Sequence, residues 1–138
     1  MKSIEHFDRE VMSWVGVTSH PHRFGGREYR FASAEIGHMH AGGTLDIPFP
    51  RPVRDRLLAD GLAEEHRWVP NSGWTTFQLR RESDLEHAIW LMRLSYLRYA
   101  LKRASDPQTT LERHAAEMRL TPLYKALIEE FLPKSHAA

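Results

Sequence analysis

Two histidines stand one residue apart in residues 35–50, which read EIGHMHAGGTLDIPFP. Side chains alternate between the two faces of a β-strand, so His38 and His40 would share one face while Met39 takes the other. Imidazoles placed in this way can bind a metal or carry protons near neutral pH. The spacing therefore predicts a candidate functional site, whose chemistry depends on what else the fold brings to that face.

The glycines that follow predict a tight hairpin, and the hydrophobic pattern decides its register. A two-residue turn at Gly42-Gly43 would mix polar and apolar side chains on both faces of the hairpin. A three-residue loop over residues 41–43 instead collects the apolar side chains on one face. These apolar side chains are Met39, Leu45, Ile47 and Phe49.

The same register places His38 opposite Asp46, and His40 opposite Thr44. A carboxylate beside an imidazole fixes the tautomer of the ring and raises its basicity. His38 is therefore a candidate general base, and Asp46 is its orienting partner. The alternative is a solvated sheet face on which the two side chains merely face each other, and the spacing alone favours this alternative.

A metal site is a further alternative for the same residues. His38, His40 and His66 could join Asp46 as ligands of iron or zinc. The chain has no cysteine, so any metal would need histidine or carboxylate ligands. The spacing of two histidines on one strand does not place the third ligand, and the alternative stays open.

The tryptophan at position 74 begins a segment that alternates like a strand. Its apolar face would consist of Thr75, Phe77 and Leu79, and its other face of Trp74, Thr76 and Gln78. Trp74 would then line a pocket, where its ring could stack on a planar ligand, or it would close the edge of the sheet against a loop. The pattern leaves both alternatives open.

The composition is that of a folded chain with one main domain. Hydrophobic residues make up 41% and charged residues 27% of the 138 residues, which excludes general disorder. The formal net charge is +1, so no global field attracts nucleic acid or an anionic membrane. There is neither a signal-peptide core nor a run of eighteen apolar residues, and we expect a cytoplasmic protein without a membrane partner.

The periodicity predicts an α+β fold with an antiparallel sheet and helices that cover one face. Apolar spacing predicts helices over residues 4–15, 52–60 and 85–103, the last after the capping-box sequence Ser83–Glu86. Short alternating runs between residues 17 and 49 predict a meander, and two more strands are expected at residues 65–70 and 74–80. Two short helices after Pro107 form a helical tail. We expect a domain at residues 1–104 and a C-terminal extension at 105–138.

The last helix of this tail carries an apolar stripe. The stripe consists of Leu123, Leu127, Ile128 and Phe131. So large an apolar face is unusual on a free surface helix, so we expect it to dock on its own domain or on a second copy of the chain. A homodimer through the C-terminal helices is therefore a predicted partner arrangement.

Arginines also suggest an anion-binding surface. They lie at positions 23, 27, 30, 51, 54 and 56. Arginine binds phosphate and carboxylate in bidentate fashion, and Arg23 could reach an acidic ligand. Acidic residues between them dilute the charge, so we favour an ordinary solvated surface and expect no nucleic-acid partner. His20 and His22 are expected in an exposed loop.

Four motifs together resemble the luciferase-like domain family, bacterial proteins named for their similarity to the luciferase of bioluminescent mushrooms. The motifs are EIGHMH, DIPFP, EEHRWVPNSGW and AIWLMRLSY, within residues 20–100. The resemblance implies oxidation of a hydroxylated pyrone by molecular oxygen, without flavin or a known metal. The substrate must lose a proton, which a histidine base could accept. We therefore expect neither a cofactor nor a bound metal.

The resemblance also indicates the site residues. His38 and His40 match the HMH motif of the fungal enzyme, His66 matches a histidine before a variable loop, and Trp74 matches a tryptophan of the late strand. We expect His38 and Asp46 to be catalytic, and His40, His66 and Trp74 to bind the substrate. The loop before Trp74 is shorter here, and Asp46 stands in place of a further histidine, so substrate identity is not transferred.

The order of elements and the SGWTTFQL segment are also similar, at the level of the fold, to MmcQ/YjbR-like proteins, which are small α+β domains. The leading expectation is a small-molecule-binding or cofactor-independent oxidative enzyme with a histidine-lined pocket. The alternative is a non-catalytic binding module, including one for nucleic acid.

Overall fold

A six-stranded antiparallel sheet forms the centre of the computed structural model, which describes residues 2–22 and 25–134. The α+β architecture is as predicted. The helices are α1 (Lys2–Met12), α2 (Arg51–Ala59), α3 (Leu85–Arg103), α4 (Pro107–Met118) and α5 (Pro122–Glu129). The strands are β1 (Val17–Pro21), β2 (Arg27–Phe31), β3 (Ala34–Met39), β4 (Thr44–Pro48), β5 (Glu64–Glu65) and β6 (Trp74–Gln78).

The strands lie in the order β1-β2-β3-β4-β6-β5, and every neighbouring pair is antiparallel. The first four strands are the predicted meander. Strand β6 then pairs with β4 on the side away from β3, so β4 is flanked by β3 and β6. Side chains from three strands therefore meet around the middle of β4.

The hairpin between β3 and β4 has the predicted three-residue loop. His38 pairs with Asp46 and Met39 with Leu45, while the backbone N–H of His40 donates to the carbonyl of Thr44 over 2.8 Å. Met39 and Leu45 are buried in the core, as the hydrophobic pattern requires. The register predicted from the sequence is confirmed.

Helix α3 covers the apolar face of this sheet. The Ser95 hydroxyl on α3 donates to the carbonyl of Ile36 on β3 over 2.7 Å, which fixes the helix against the strand. Gly37 permits this close approach, because a Cβ atom there would lie only 2.8 Å from the terminal carbon of Met92. The helix spans residues 85–103 as predicted. At its start, the Asp84 carboxylate accepts the N–H groups of Arg80 and Arg81.

The first two helices differ from the prediction only at their ends. Helix α1 ends at Met12 rather than at residue 15, because the chain turns through Gly16, at φ 88°, before it enters β1. Phe7 and Val11 bury the apolar stripe of α1 in the core. Helix α2 ends before Gly61, whose φ of 70° is that of a glycine C-cap.

The prediction of a strand over residues 65–70 is wrong beyond Glu65. Strand β5 spans Glu64–Glu65 alone, and the chain then turns. The Nδ1 atom of His66 accepts the backbone N–H groups of Trp68 and Val69 over 3.1 and 3.3 Å. A side chain that bonds the following backbone in this way replaces the ladder of a strand with a turn.

The helical tail packs on its own chain. Leu111 of α4 and Ile128 of α5 are fully buried, and the Tyr124 hydroxyl on α5 donates to the Asp60 carboxylate over 2.7 Å. Leu123, on the same predicted stripe, stays 46% exposed. The boundary at residue 105 and the homodimer stay predictions.

None of the helices among the described residues has both the length and the apolar character needed to cross a membrane. The cytoplasmic location stays a prediction.

Candidate functional site

A cavity of about 710 Å³ opens on the sheet face opposite the core. Polar and aromatic side chains line it: His22, His38, His40, Thr44, Asp46, His66, Arg67, Trp68, Thr76 and Gln78. The alternation of β3, β4 and β6 explains this lining, because the neighbours of these side chains along each strand point into the core. Both histidines of the HMH motif lie on this face, while Met39 lies on the other.

Asp46 is the centre of the polar cluster in this cavity. Its Oδ2 atom lies 3.1 Å from Nε2 of His38, 2.9 Å from Nε2 of His40 and 3.5 Å from Nε2 of His66. Its Oδ1 atom accepts the hydroxyl hydrogen of Thr76 over 2.7 Å. The two oxygens of one buried carboxylate therefore organise side chains from β3, β6 and the segment after β5.

A second carboxylate reaches His38 from its own strand. Oε2 of Glu35 lies 3.0 Å from Nδ1 of His38, although residues three apart on a regular strand point to opposite faces. A register shift explains the contact. Tyr29 pairs with Gly37 and Arg30 with Glu35, so Ile36 is the extra residue of a β-bulge.

The two carboxylates control the protonation of His38. Burial disfavours the charged ring, but the hydrogen bonds with Asp46 and Glu35 outweigh burial and raise the pKa of His38 to about 9. Burial also opposes ionisation of Asp46, and its hydrogen bonds with His38, Thr76 and His40 nevertheless hold its pKa below the ordinary range. In the metal-free site, His38 is a cation at neutral pH, so the base role predicted for it requires the loss of a proton first.

The tautomer of His66 follows from its backbone contacts. Nδ1 accepts the N–H groups of Trp68 and Val69 and therefore carries no hydrogen. In the neutral ring the hydrogen then lies on Nε2, which faces Oδ2 of Asp46. His66 thus turns the N–H of Nε2 toward the carboxylate at 3.5 Å, and at the same time it shapes the loop that carries Trp68.

Two tryptophans flank the imidazoles. The ring centroid of Trp74 lies 5.3 Å from that of His38 and 6.1 Å from that of His66. Trp68 lines the cavity and is 76% exposed, whereas Trp74 is not among the residues that line the cavity. The structure thus brings together all five predicted site residues, while their roles in catalysis and binding stay predictions.

His22 corrects one expectation from the sequence. It follows β1 in a loop as predicted, but it is part-buried rather than exposed, and its ring stacks on that of His38 at a centroid distance of 4.1 Å. Burial lowers the pKa of His22, and the imidazoles of His38 and His40 lower it further. No local pattern indicates this contact, because it depends on the path of the chain beyond β1. His20 lies within β1 rather than in a loop.

Glu35 and Thr76 are the other residues that sequence reasoning missed. Alternation placed Thr76 on the polar face of β6, but only the pairing of β6 with β4 shows that it lies opposite Asp46. Glu35 needs the β-bulge to reach His38. The strand order and the bulge, rather than residue types, decide both contacts.

The cluster can hold either protons or a metal ion. One ring nitrogen each of His38 and His40 and a carboxylate oxygen of Asp46 all lie within 4.8 Å of one another. Nε2 of both rings also forms a hydrogen bond with Oδ2 of Asp46.

The arginines, in contrast, form ion pairs rather than an anion site. In the described part of the chain, Arg27, Arg30, Arg51, Arg54 and Arg56 each lie within ion-pair distance of an aspartate or glutamate. Arg23 lies outside the described residues. Acidic residues therefore accompany these five arginines, and the expected lack of a nucleic-acid partner stays a prediction.

One of the comparisons with known proteins finds a match. Residues 33–95 match the family model described as Luciferase domain. These residues include β3, β4, β6 and the first half of α3, and they contain every predicted site residue. No curated protein and no solved structure matches the chain, so the similarity to MmcQ/YjbR-like proteins is not confirmed.

Proposed function

Residues 33–95 place the chain in the luciferase-like domain family, and from this premise we propose that it oxidises a small, planar, hydroxylated substrate in the histidine-lined cavity. The observation that carries the proposal is the convergence of three imidazoles on the Oδ2 atom of Asp46 inside a cavity edged by tryptophan. A small number of polar groups that converge within a partly apolar cavity is typical of small-molecule sites.

The residues divide into two groups in this proposal. His38 and Asp46 are the candidate catalytic residues, since they are the most deeply buried ionisable pair of the cavity. His40, His66 and Trp74 are the candidate substrate contacts. The planar ring of Trp68, which lines the cavity, suits a planar substrate, because offset stacking of aromatic rings is favourable.

The reaction begins with the loss of the substrate's hydroxyl proton. The O–H bond breaks, the proton passes to an imidazole of the cavity, and the electron pair stays on the substrate as an enolate. Molecular oxygen then accepts electrons from the enolate, as the family resemblance implies. We retain the hypothesis that His38 accepts this proton, which requires that His38 first lose its own extra proton.

Native mass spectrometry of the purified full chain tests the proposal. We expect a copurified small molecule that is lost on denaturation and absent from Trp74→Ala. An oxygen electrode with 4-hydroxy-6-methyl-2-pyrone as probe should then show uptake that falls at least tenfold in Asp46→Asn. Asp55→Asn, at an exposed carboxylate of α2, is the matched control and should keep the activity.

Two results would contradict the proposal. One is a chain that carries no small molecule and does not change its tryptophan fluorescence on addition of the pyrone. The other is salt-dependent binding of nucleic acid through the arginines, which would favour the non-catalytic alternative.

A further inference from the structure

We propose that Nε2 of His38, Nε2 of His40 and Oδ2 of Asp46 bind one divalent transition-metal ion at the floor of the cavity. The residue spacing alone does not show where the ligand atoms lie, and the family resemblance predicted no bound metal. The distances between those atoms, and the groups behind them, now support the metal.

Two of the three separations between the proposed ligand atoms match those between ligands of one ion. A metal about 2.1 Å from each of two ligand atoms holds these atoms roughly 3.0 to 3.4 Å apart, for angles between octahedral and tetrahedral. Oδ2 of Asp46 lies 3.1 Å from Nε2 of His38 and 2.9 Å from Nε2 of His40. The two imidazole nitrogens and the oxygen lie within 4.8 Å of one another.

The contact between His38 and Glu35 creates a place for a cation. If Nδ1 of a neutral His38 donates its hydrogen to Glu35, Nε2 presents a lone pair to the carboxylate of Asp46. Two acceptors then face each other, and either the second proton of a charged His38 or a metal ion can lie between them. The proton serves this one pair, whereas a metal ion serves all three ligand atoms at once.

The groups behind the ligands are those that metal sites use. A ligating histidine usually donates its other N–H to a carboxylate, which is the position of Glu35 behind His38. The Thr76 hydroxyl holds Oδ1 of Asp46, which leaves Oδ2 to face the imidazoles. His66 is not a ligand in this assignment, because its Nδ1 accepts backbone N–H groups and its Nε2 carries the hydrogen.

Two imidazoles and one carboxylate identify the class of metal. This set, with open positions, is typical of non-haem iron(II), and it also binds zinc and cobalt. No cysteine in the chain competes as a soft ligand. The open positions would face the cavity, where the ion can meet a substrate atom or water.

The metal ion would be a cofactor of the proposed function. Only the charge compensation described next depends on that function. A substrate that becomes an enolate brings negative charge to a cavity that already holds Asp46 and, behind it, Glu35. Among the described residues that line the cavity, Arg67 is the only lysine or arginine. A divalent ion compensates this charge at the place where it develops. His38 is then a ligand rather than a proton carrier.

Titration of the full, chelator-treated chain with Co²⁺ tests the inference without any substrate. We expect visible d–d absorption bands that saturate at one ion per chain, and displacement of Co²⁺ by Zn²⁺. His40→Ala should weaken Co²⁺ binding at least tenfold, and Glu35→Gln should weaken it about tenfold, through the orientation of His38. His40 is only part-buried, so its variant should fold.

His6→Ala is the control. It removes an exposed histidine of α1, away from the cavity. This variant should bind Co²⁺ like the unchanged chain. Absence of saturable bands, or binding that His40→Ala leaves intact, would overturn the inference. A chain that binds Co²⁺ but no pyrone would contradict the proposed function alone. A chain that binds the pyrone but no Co²⁺ would contradict the metal site alone.

Discussion

Thr76 on β6 donates its hydroxyl hydrogen to Oδ1 of Asp46 on β4 over 2.7 Å, and both side chains are buried. The two residues face each other directly in the β4–β6 pair. The hydrogen bond fixes the carboxylate so that Oδ2 points to the imidazoles of His38 and His40. Strand β6, which follows β4 in the sequence and pairs with it, therefore holds the site in place.

Thr76→Val tests this arrangement with little change of shape. The valine cannot donate, so one oxygen of a buried carboxylate loses a partner and the free energy of unfolding should fall by about 1 to 3 kcal/mol. Urea unfolding of the metal-free chain measures the loss. Thr44→Val, which removes a part-buried hydroxyl that contacts Gln78, should cost less. Equal losses in the two variants would mean that the bond to Asp46 has no special weight.

The β3–β4 hairpin offers a second test, since its loop length sets the register. Deletion of Gly42 leaves a two-residue turn and shifts one strand by one residue, which would turn Met39 or Leu45 toward the cavity face. We expect loss of the folded state, seen as loss of the cooperative thermal transition in circular dichroism. Gly42→Ala keeps the loop length in open space and should fold normally. A folded deletion variant would contradict the register.

Strands β3 and β4 show how much of the site the sequence predicts. Alternation placed Met39 and Leu45 in the core and His38 opposite Asp46, because one buried face permits only one register. Alternation could not place Glu35 beside His38, because a β-bulge at Ile36 reverses the parity between them. A bulge depends on how β2 and α3 meet the strand, and only the glycine at position 37 hints at it.

The segment after β5 shows a second limit of prediction. Residues 65–70 have the alternation of a strand, yet the His66 ring captures the backbone N–H groups of Trp68 and Val69. Such capture competes with the sheet ladder and depends on where the ring is already held, here by Asp46. The contact of His22 with His38 likewise depends on the path of the chain rather than on local pattern.

The tail makes a third prediction. Ile128 is fully buried, so Ile128→Ala should lower the free energy of unfolding by about 2 to 4 kcal/mol. Leu123→Ala, at a 46% exposed position of the same helix, should cost well under half of that. Urea unfolding at one protein concentration compares the two variants. A larger loss for Leu123 than for Ile128 would mean that α5 uses a different face.

Truncation after Arg103 extends this test to the proposed homodimer. It removes α4 and α5 and exposes the surface of α3 that they cover, so the melting temperature should fall and the chain should become less soluble. Light scattering of the full chain and of Leu123→Glu measures the mass directly. If the C-terminal helices form a homodimer, the charged variant should be monomeric; a full chain that is already monomeric would rule this dimer out.

His114 on α4 predicts how stability depends on pH. Burial lowers its pKa to about 4, and the nearby cations Arg93 and Arg113 act in the same direction. Nδ1 of His114 also accepts the hydrogen of the Arg93 guanidinium over 2.9 Å, which requires that nitrogen to be unprotonated. In the unfolded chain the ring titrates near its ordinary pKa of about 6.5.

Between pH 6.5 and pH 4 the unfolded chain therefore binds more protons at this ring than the folded chain does. Stability from the neutral ring is fully present above pH 6.5 and is lost as the pH falls toward 4. Urea unfolding of the full chain should show this loss between pH 7 and pH 5, and His114→Gln, which keeps an acceptor near Arg93, should show a smaller one. The other histidines are the same in both chains, so the difference between the two pH profiles reports on His114. Parallel profiles would show that the ring is not held neutral against Arg93.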